Sequence, residues 1–148
     1  MLIVLGSDHG GYLLKEQIKK HIKEKYGFEI LDVGTNSEEA ASWSEFGLKA
    51  ATEVAKNIDS LGIVICKSGI GVSIAANKVK GAYCGLCYDK NIADLLKKHD
   101  HCNMIAFGSE HIKLEDAIES VDKFIEAVPE GGRHQERFEN LKNYEKSC

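Results

Sequence analysis

One proline and one tryptophan stand in 148 residues, and no apolar run approaches the length of a membrane span. No charged-then-apolar leader opens the chain, so neither export nor a membrane anchor is expected. Charge of one sign is also scarce: the formal total is −4, which gives nucleic acid or an acidic membrane no reason to bind. Cysteine is present but odd in number, five in all. An odd count in a chain of ordinary domain size argues against a secreted disulfide framework and for a reducing compartment, the cytoplasm. There is no internal repeat and no low-complexity segment. A 148-residue chain with 28% charged residues suits one folded domain spanning residues 1–148.

What is present is an alternation of strand and helix. Residues 2–7 read as a buried strand that ends in the polar turn Ser7-Asp8-His9-Gly10-Gly11. A helix over 12–26 follows, with Leu14, Ile18 and Ile22 inward, Lys15, Lys19, Lys20 and Lys23 solvated, and Gly27 as C-cap. A second strand covers 28–33. After a polar loop, Ser44 is expected to cap a helix carrying Phe46, Ala50, Val54 and Ile58 at i, i+4 spacing. The run Leu61-Gly62-Ile63-Val64-Ile65-Cys66 has the look of a strand buried on both faces. A helix over about 70–79, a strand over 81–88, a short helix over 91–98 and a strand over 104–108 complete the alternation. Leu114, Ile118, Val121, Ile125 and Val128 then repeat at helical spacing up to Pro129. A last helix over 134–146 carries Phe138, Leu141 and Tyr144 on one face. No strand follows it, and it is expected to pack on a partner subunit. The pattern predicts an α/β fold, a three-layer α/β/α sandwich with a five-stranded parallel, Rossmann-like sheet.

In such a sheet the residues just past each strand share one rim. That places Asp8, His9, Cys66 to Gly71, Asp89 and Ser109 around a single crevice. Lys67-Ser68-Gly69-Ile70-Gly71 offers backbone N–H groups at a helix start, an anion cradle. Read alone it is equally a tight turn. It is no dinucleotide fingerprint, because Ile74 stands where a third glycine would be, and it lacks the Gly-Lys-Ser/Thr of a P-loop. Cysteine at this junction is commonly a plain core residue, but a helix N-terminus favours its thiolate, which could act as nucleophile or proton abstractor. Cys84-Gly85-Leu86-Cys87 falls inside a strand, where residues three apart face opposite ways and cannot share a metal. The cluster His99 to Asn103 reads first as a helix end and second as a source of an acid/base imidazole. Arg133 and Arg137, four apart, suit a phosphate, although Glu136 and Glu139 beside them permit ordinary surface ion pairs.

Together, Ser7 to Gly11, the loop Cys66-Lys67-Ser68-Gly69-Ile70-Gly71 with Ala75-Ala76-Asn77-Lys78, His99 with Asn103, Phe107-Gly108-Ser109 and Gly131-Gly132-Arg133-His134-Gln135-Glu136-Arg137 resemble the type B ribose-5-phosphate isomerases. That family also includes galactose-6-phosphate isomerase subunits. The resemblance implies an aldose–ketose isomerase that passes through an enediol without metal or cofactor, and a homodimer or dimer of dimers with shared sites. Its small-molecule partner would be a sugar phosphate. The resemblance casts Cys66 as the base at C2, His99 as the group that opens the furanose ring, and Ser68 as an aid to proton traffic. Asp8, His9, Lys67, Ser68, Gly69, Ile70, Gly71 and Asp100 would bind substrate, with Arg133 and Arg137 reaching from the neighbouring subunit to its phosphate. Some members carry a glutamate where Val72 stands, leaving Cys66 as the base here. Four departures bear on which sugar is taken: Ser42-Trp43-Ser44, Lys67, Asp100 and Glu110. The alternatives are an isomerase of another aldose, a non-catalytic anion or nucleotide module, and a zinc or thiol-redox protein built on Cys84, Cys87 and Cys102.

Overall fold

The computed structural model describes all residues, 1–148. Five strands, β1 (Leu2–Ser7), β2 (Glu29–Asp32), β3 (Ser60–Cys66), β4 (Cys84–Leu86) and β5 (Met104–Gly108), form one parallel sheet in the order β2-β1-β3-β5-β4. The chain leaves β1 towards β2 on one side and returns to β3 on the other. The switch point therefore falls between the C-terminal ends of β1 and β3, where open parallel sheets leave a crevice.

Both faces of the sheet are covered. On one, Ile3, Leu5, Ile63, Ile65, Ile105 and Phe107 meet helices α1 (Tyr12–Lys25), α4 (Ala93–Lys98) and α5 (Leu114–Glu126). On the other, Val4, Val64, Cys66, Met104 and Ala106 meet α2 (Trp43–Lys56) and α3 (Ile70–Asn77). The period-2 alternation along β3 thus turns Cys66 towards α2 and α3. A sixth helix, α6 (Arg133–Lys146), lies outside the three layers. No helix is long and apolar enough to cross a membrane.

The elements match the sequence reading closely, with local corrections. The helix expected to be capped by Ser44 starts earlier, with Ser42 as its cap: Ser42 Oγ accepts the Glu45 N–H. That helix ends at Lys56, because the Asn57 side chain donates to the Glu53 carbonyl and turns the chain out. Ile58, expected inward, is 97% exposed. Val128 is exposed as well, since Ala127 is already extended ahead of Pro129. The strand expected over 81–88 shrinks to three residues because side chains take its early backbone groups. Asn103 Oδ1 accepts from the Tyr83 N–H, and Asn103 Nδ2 donates to the Gly81 carbonyl.

Lys15 is the clearest correction. Expected in solvent, it is fully buried, and its ammonium pairs with Asp32 and Glu16 while Lys19 closes the same network. Asp32 ends β2 beside α1, so the lysine stem lies along the core and its head meets a carboxylate at the sheet edge. Burial acts to raise the Asp32 pKa, but hydrogen bonds from Lys15, Lys19 and the Gly34 N–H outweigh it and hold the carboxyl below its ordinary value. A folded-state pKa below the unfolded one means stability that is complete above the unfolded value and lost as pH falls through the folded value. The stability gap between wild type and Asp32→Asn should therefore stay constant from neutral pH to about pH 5 and close as the pH falls below about 4. Urea unfolding across that range measures it, and a gap that widens in acid would refute the assignment.

Candidate active site

The C-terminal rim is built from close backbone approaches that only glycine permits. Gly69 sits at φ +78°, and a Cβ there would stand 2.8 Å from the Phe107 carbonyl carbon and 2.9 Å from the Gly108 nitrogen. Neither backbone atom can yield. Gly69→Ala should cost about 2–4 kcal/mol, from the left-handed backbone and the overlap together. A urea titration showing less than about 1 kcal/mol would mean the loop has another conformation open to it.

These constraints aim the loop at Cys66. The Gly69 N–H donates to Cys66 Sγ at 3.2 Å, and the thiol is buried at the end of β3. The Ile70 N–H takes Ser68 Oγ. The N–H groups of Lys67, Ser68, Gly71 and Val72 have no acceptor in the protein. That leaves a ring of donors beside a sulfur, at the N-terminus of α3, where partial positive charge favours an anion.

Asp8 and His9 complete this rim from β1. Asp8 is buried and uses Oδ1 to accept the Gly11 N–H at 3.1 Å, while its other oxygen has no protein donor. His9 Nδ1 lies 3.1 Å from the Ala41 nitrogen and 3.2 Å from the Ala41 carbonyl oxygen, and its tautomer sets which of the two it bonds. The same contact pins the loop ahead of α2, so that Trp43 lies across Gly71, where any Cβ would strike the indole at 2.6 Å. Lys67 runs back over Gly10, and Ser109 Oγ donates to the Gly10 carbonyl at 2.7 Å. Val72 is fully buried against the α2 side.

The other expected site residues are elsewhere. α4 runs back against the strand direction, so His99 and Asp100 lie at the edge where strands begin. Cys66 is level with Gly108 in the sheet, and Met104 begins the same strand four residues earlier. The two edges are therefore separated by about 13 Å along the strands alone. Helix α6 is seated at that far edge on its own chain. Phe138 packs against Tyr83 and His101, and Glu145 accepts from the Tyr83 hydroxyl and the Gly81 N–H. Arg137, His99, Asp100 and His134 line one open cavity of about 450 Å³. The expected residues thus form two groups, Asp8, His9 and Cys66 to Gly71 at one edge, and His99, Asp100, Arg133 and Arg137 at the other. The sequence offered no sign that His99 belongs with the arginines. It also gave no sign of its neighbour His134, whose ring stacks on His99 at 4.1 Å and 3°. The two are far apart in the chain and share no periodicity.

The remaining cysteines are Cys84, Cys87 and Cys102, all buried, and Cys148, exposed. Cys84 and Cys87 face opposite sides of the sheet, as the strand period required, and no cysteine is paired. Burial pushes the thiols of Cys84 and Cys87 up and that of Cys102 to about 12.

The family model for Ribose/Galactose Isomerase matches residues 3–141. Ribose-5-phosphate isomerase B of Escherichia coli is 40% identical over 139 residues, covering 94% of this chain and 93% of that one. The probable ribose-5-phosphate isomerase B of Mycoplasma genitalium is 40% identical over 146 residues, covering 97% and 95%. The crystal structure of the Mycoplasma genitalium enzyme, which holds ribulose-5-phosphate, superposes with a TM-score of 0.95 at 39% identity over 99% of this chain and 97% of that chain. Ribose-5-phosphate isomerase B of Clostridium thermocellum does so with a TM-score of 0.93 at 40% identity over 99% of both chains. Strand order, the Cys66 cradle and matches spanning nearly the whole chain agree: the chain belongs to the ribose/galactose isomerase family.

Proposed function

We propose that this protein interconverts ribose 5-phosphate and ribulose 5-phosphate, in a site completed by a second copy of the chain. The observation that carries the reaction is Cys66 Sγ under the Gly69 N–H, beside a row of unengaged backbone donors. In the open-chain aldose, the Cys66 thiolate takes the proton from C2. The electrons move towards the C1 oxygen and form an enediolate. The loop N–H groups hold that developing negative charge in place. With the enediol proton passed between the two oxygens, helped by Ser68, the thiol returns its proton to C1 and the ketose leaves. One base serves both carbons because they are adjacent, and its protonation state is restored at the end.

The split between the two edges supports the shared site. Ring opening needs an acid/base group and the phosphate needs cations, yet His99, Asp100, Arg133 and Arg137 stand at the far edge from Cys66. A two-fold dimer that brings the far edge of one subunit to the crevice of the other makes two complete sites at once. Asp8 and His9 would then hold sugar hydroxyls, with His99 of the partner subunit opening the furanose and Arg133 and Arg137 of the partner subunit binding the phosphate. Ile70 and Ile74, exposed on successive turns of α3, and Leu141 and Tyr144 on α6 are the apolar surface such a dimer would cover. The unpaired cysteines suit the reducing cytoplasm.

The direct test is formation of ketose from ribose 5-phosphate by chelator-treated protein, within a panel of pentose and hexose phosphates. Turnover of a hexose phosphate in preference to the pentose would move the assignment to another aldose. Binding without turnover of any would leave only the anion-binding module.

A further inference from the structure

At the far edge, three side chains converge that the isomerase chemistry does not use together. His99 ends α4, Glu130 lies in the connection from α5 to α6, and His134 is in the first turn of α6. Their ligand atoms all lie within 4.8 Å of one another. Glu130 Oε1 is 3.8 Å from Nε2 of His99 and 3.8 Å from Nε2 of His134. The backbone holding Glu130 is fixed on both sides: its N–H donates to the Lys98 carbonyl at 2.9 Å, and its own carbonyl accepts from His101 Nε2 at 2.8 Å. The His134 side chain is only 13% exposed.

Two imidazoles and a carboxylate, with an open fourth position, are the ligand set of a class of mononuclear zinc sites. We propose that His99, Glu130 and His134 form a site for one divalent ion of the zinc type, and that an ion bound there inhibits the enzyme by occupying the His99 imidazole. With bonds of about 2.0–2.1 Å, tetrahedral ligand atoms stand roughly 3.3 Å apart, so the three atoms close by about an ångström or somewhat more. The rings also tilt out of their parallel stack, because each lone pair lies in its ring plane. The side chains of His99 and Glu130 are 38% and 50% exposed, which leaves them free to do so. Water fills the fourth position. Arg133 and Arg137 oppose a dication and Asp100 favours one, which gives a reversible inhibitory site rather than a resident metal centre. Binding stands on this geometry alone; inhibition rests on the reading that His99 opens the sugar ring.

The test uses the chelator-treated full chain. Zn²⁺ is titrated by calorimetry and Co²⁺ by visible absorption, into wild type, His134→Phe, Glu130→Gln and Cys66→Ser. His134→Phe keeps a flat ring against His99 and removes the ligand nitrogen. Wild type and Cys66→Ser should bind one ion per chain alike, with cobalt bands free of thiolate charge transfer. His134→Phe and Glu130→Gln should bind at least about tenfold more weakly, the minimum expected for a lost or neutralised ligand. In the isomerase assay zinc should inhibit wild type. His134→Phe should need at least about tenfold more zinc for half inhibition and keep its metal-free turnover within about twofold. No stoichiometric binding, unchanged affinity in His134→Phe, or loss of binding in Cys66→Ser would overturn the site. Tight binding with undiminished turnover would overturn the inhibition. If metal-free wild type fails to isomerise any aldose phosphate, the isomerase reading falls, and the zinc and cobalt titrations still decide the site.

Discussion

Cys66→Ala should abolish isomerisation while leaving the fold intact. A positioned base contributes about 10²–10⁴ in rate, so kcat should fall by roughly 10³. Val72, at the position where a carboxylate could stand in, is buried against α2 and cannot be protonated. The fold should survive because alanine removes a single sulfur from a site walled partly by backbone, a loss of about 1–2 kcal/mol at most on the scale of small core truncations. Binding of a sugar phosphate should change little, since the loop donors and the arginines remain. Steady-state kinetics with near-normal KM, collapsed kcat and a native circular-dichroism spectrum would agree. Undiminished kcat in the Cys66→Ala variant would remove Cys66 from the chemistry.

The second expected result follows from the two edges. Cys66→Ala chains and His99→Ala chains, each inactive or nearly so, should recover about a quarter of wild-type activity when unfolded together and refolded as an equal mixture. Random pairing makes half of the dimers mixed. In each mixed dimer one site draws Cys66 from one chain and His99 from the other, both wild type, while its twin has neither. One good site in half of the dimers is a quarter of the wild-type total, above the sum of the two variants assayed alone. A site contained within one chain would give no recovery. Rescue by Arg137→Ala chains in place of His99→Ala would show that the phosphate clamp travels with His99. The same mixture with Asp8→Ala in place of His99→Ala should not recover, because Asp8 sits on the Cys66 side.

Much of this was legible from the residues. The β-branched run ending at Cys66, the glycines after it and the alternating helical stripes specify local conformation, and local conformation follows from side-chain shape and spacing. The parallel sheet and the rim of Asp8, His9 and Cys66 to Gly71 followed from that order. Even the opposite facing of Cys84 and Cys87 came from the strand period, and the structure places them in the cores on the two faces of the sheet. Errors were confined to element ends and to amphipathic lysine. Helical spacing cannot tell that Lys15, one step from an inward row, has a carboxylate waiting at the edge of β2.

What the tertiary structure decided is which side of the molecule each group occupies. Sequence determined that Cys66 stands at a strand end beneath an anion cradle, because those features depend on neighbours in the chain. It did not determine that His99 and the arginines lie across the sheet from it, or that Glu130 and His134 join His99. Those facts depend on the direction in which α4 and α6 return across the strands. That direction is set by packing between residues distant in sequence, and no local pattern records it.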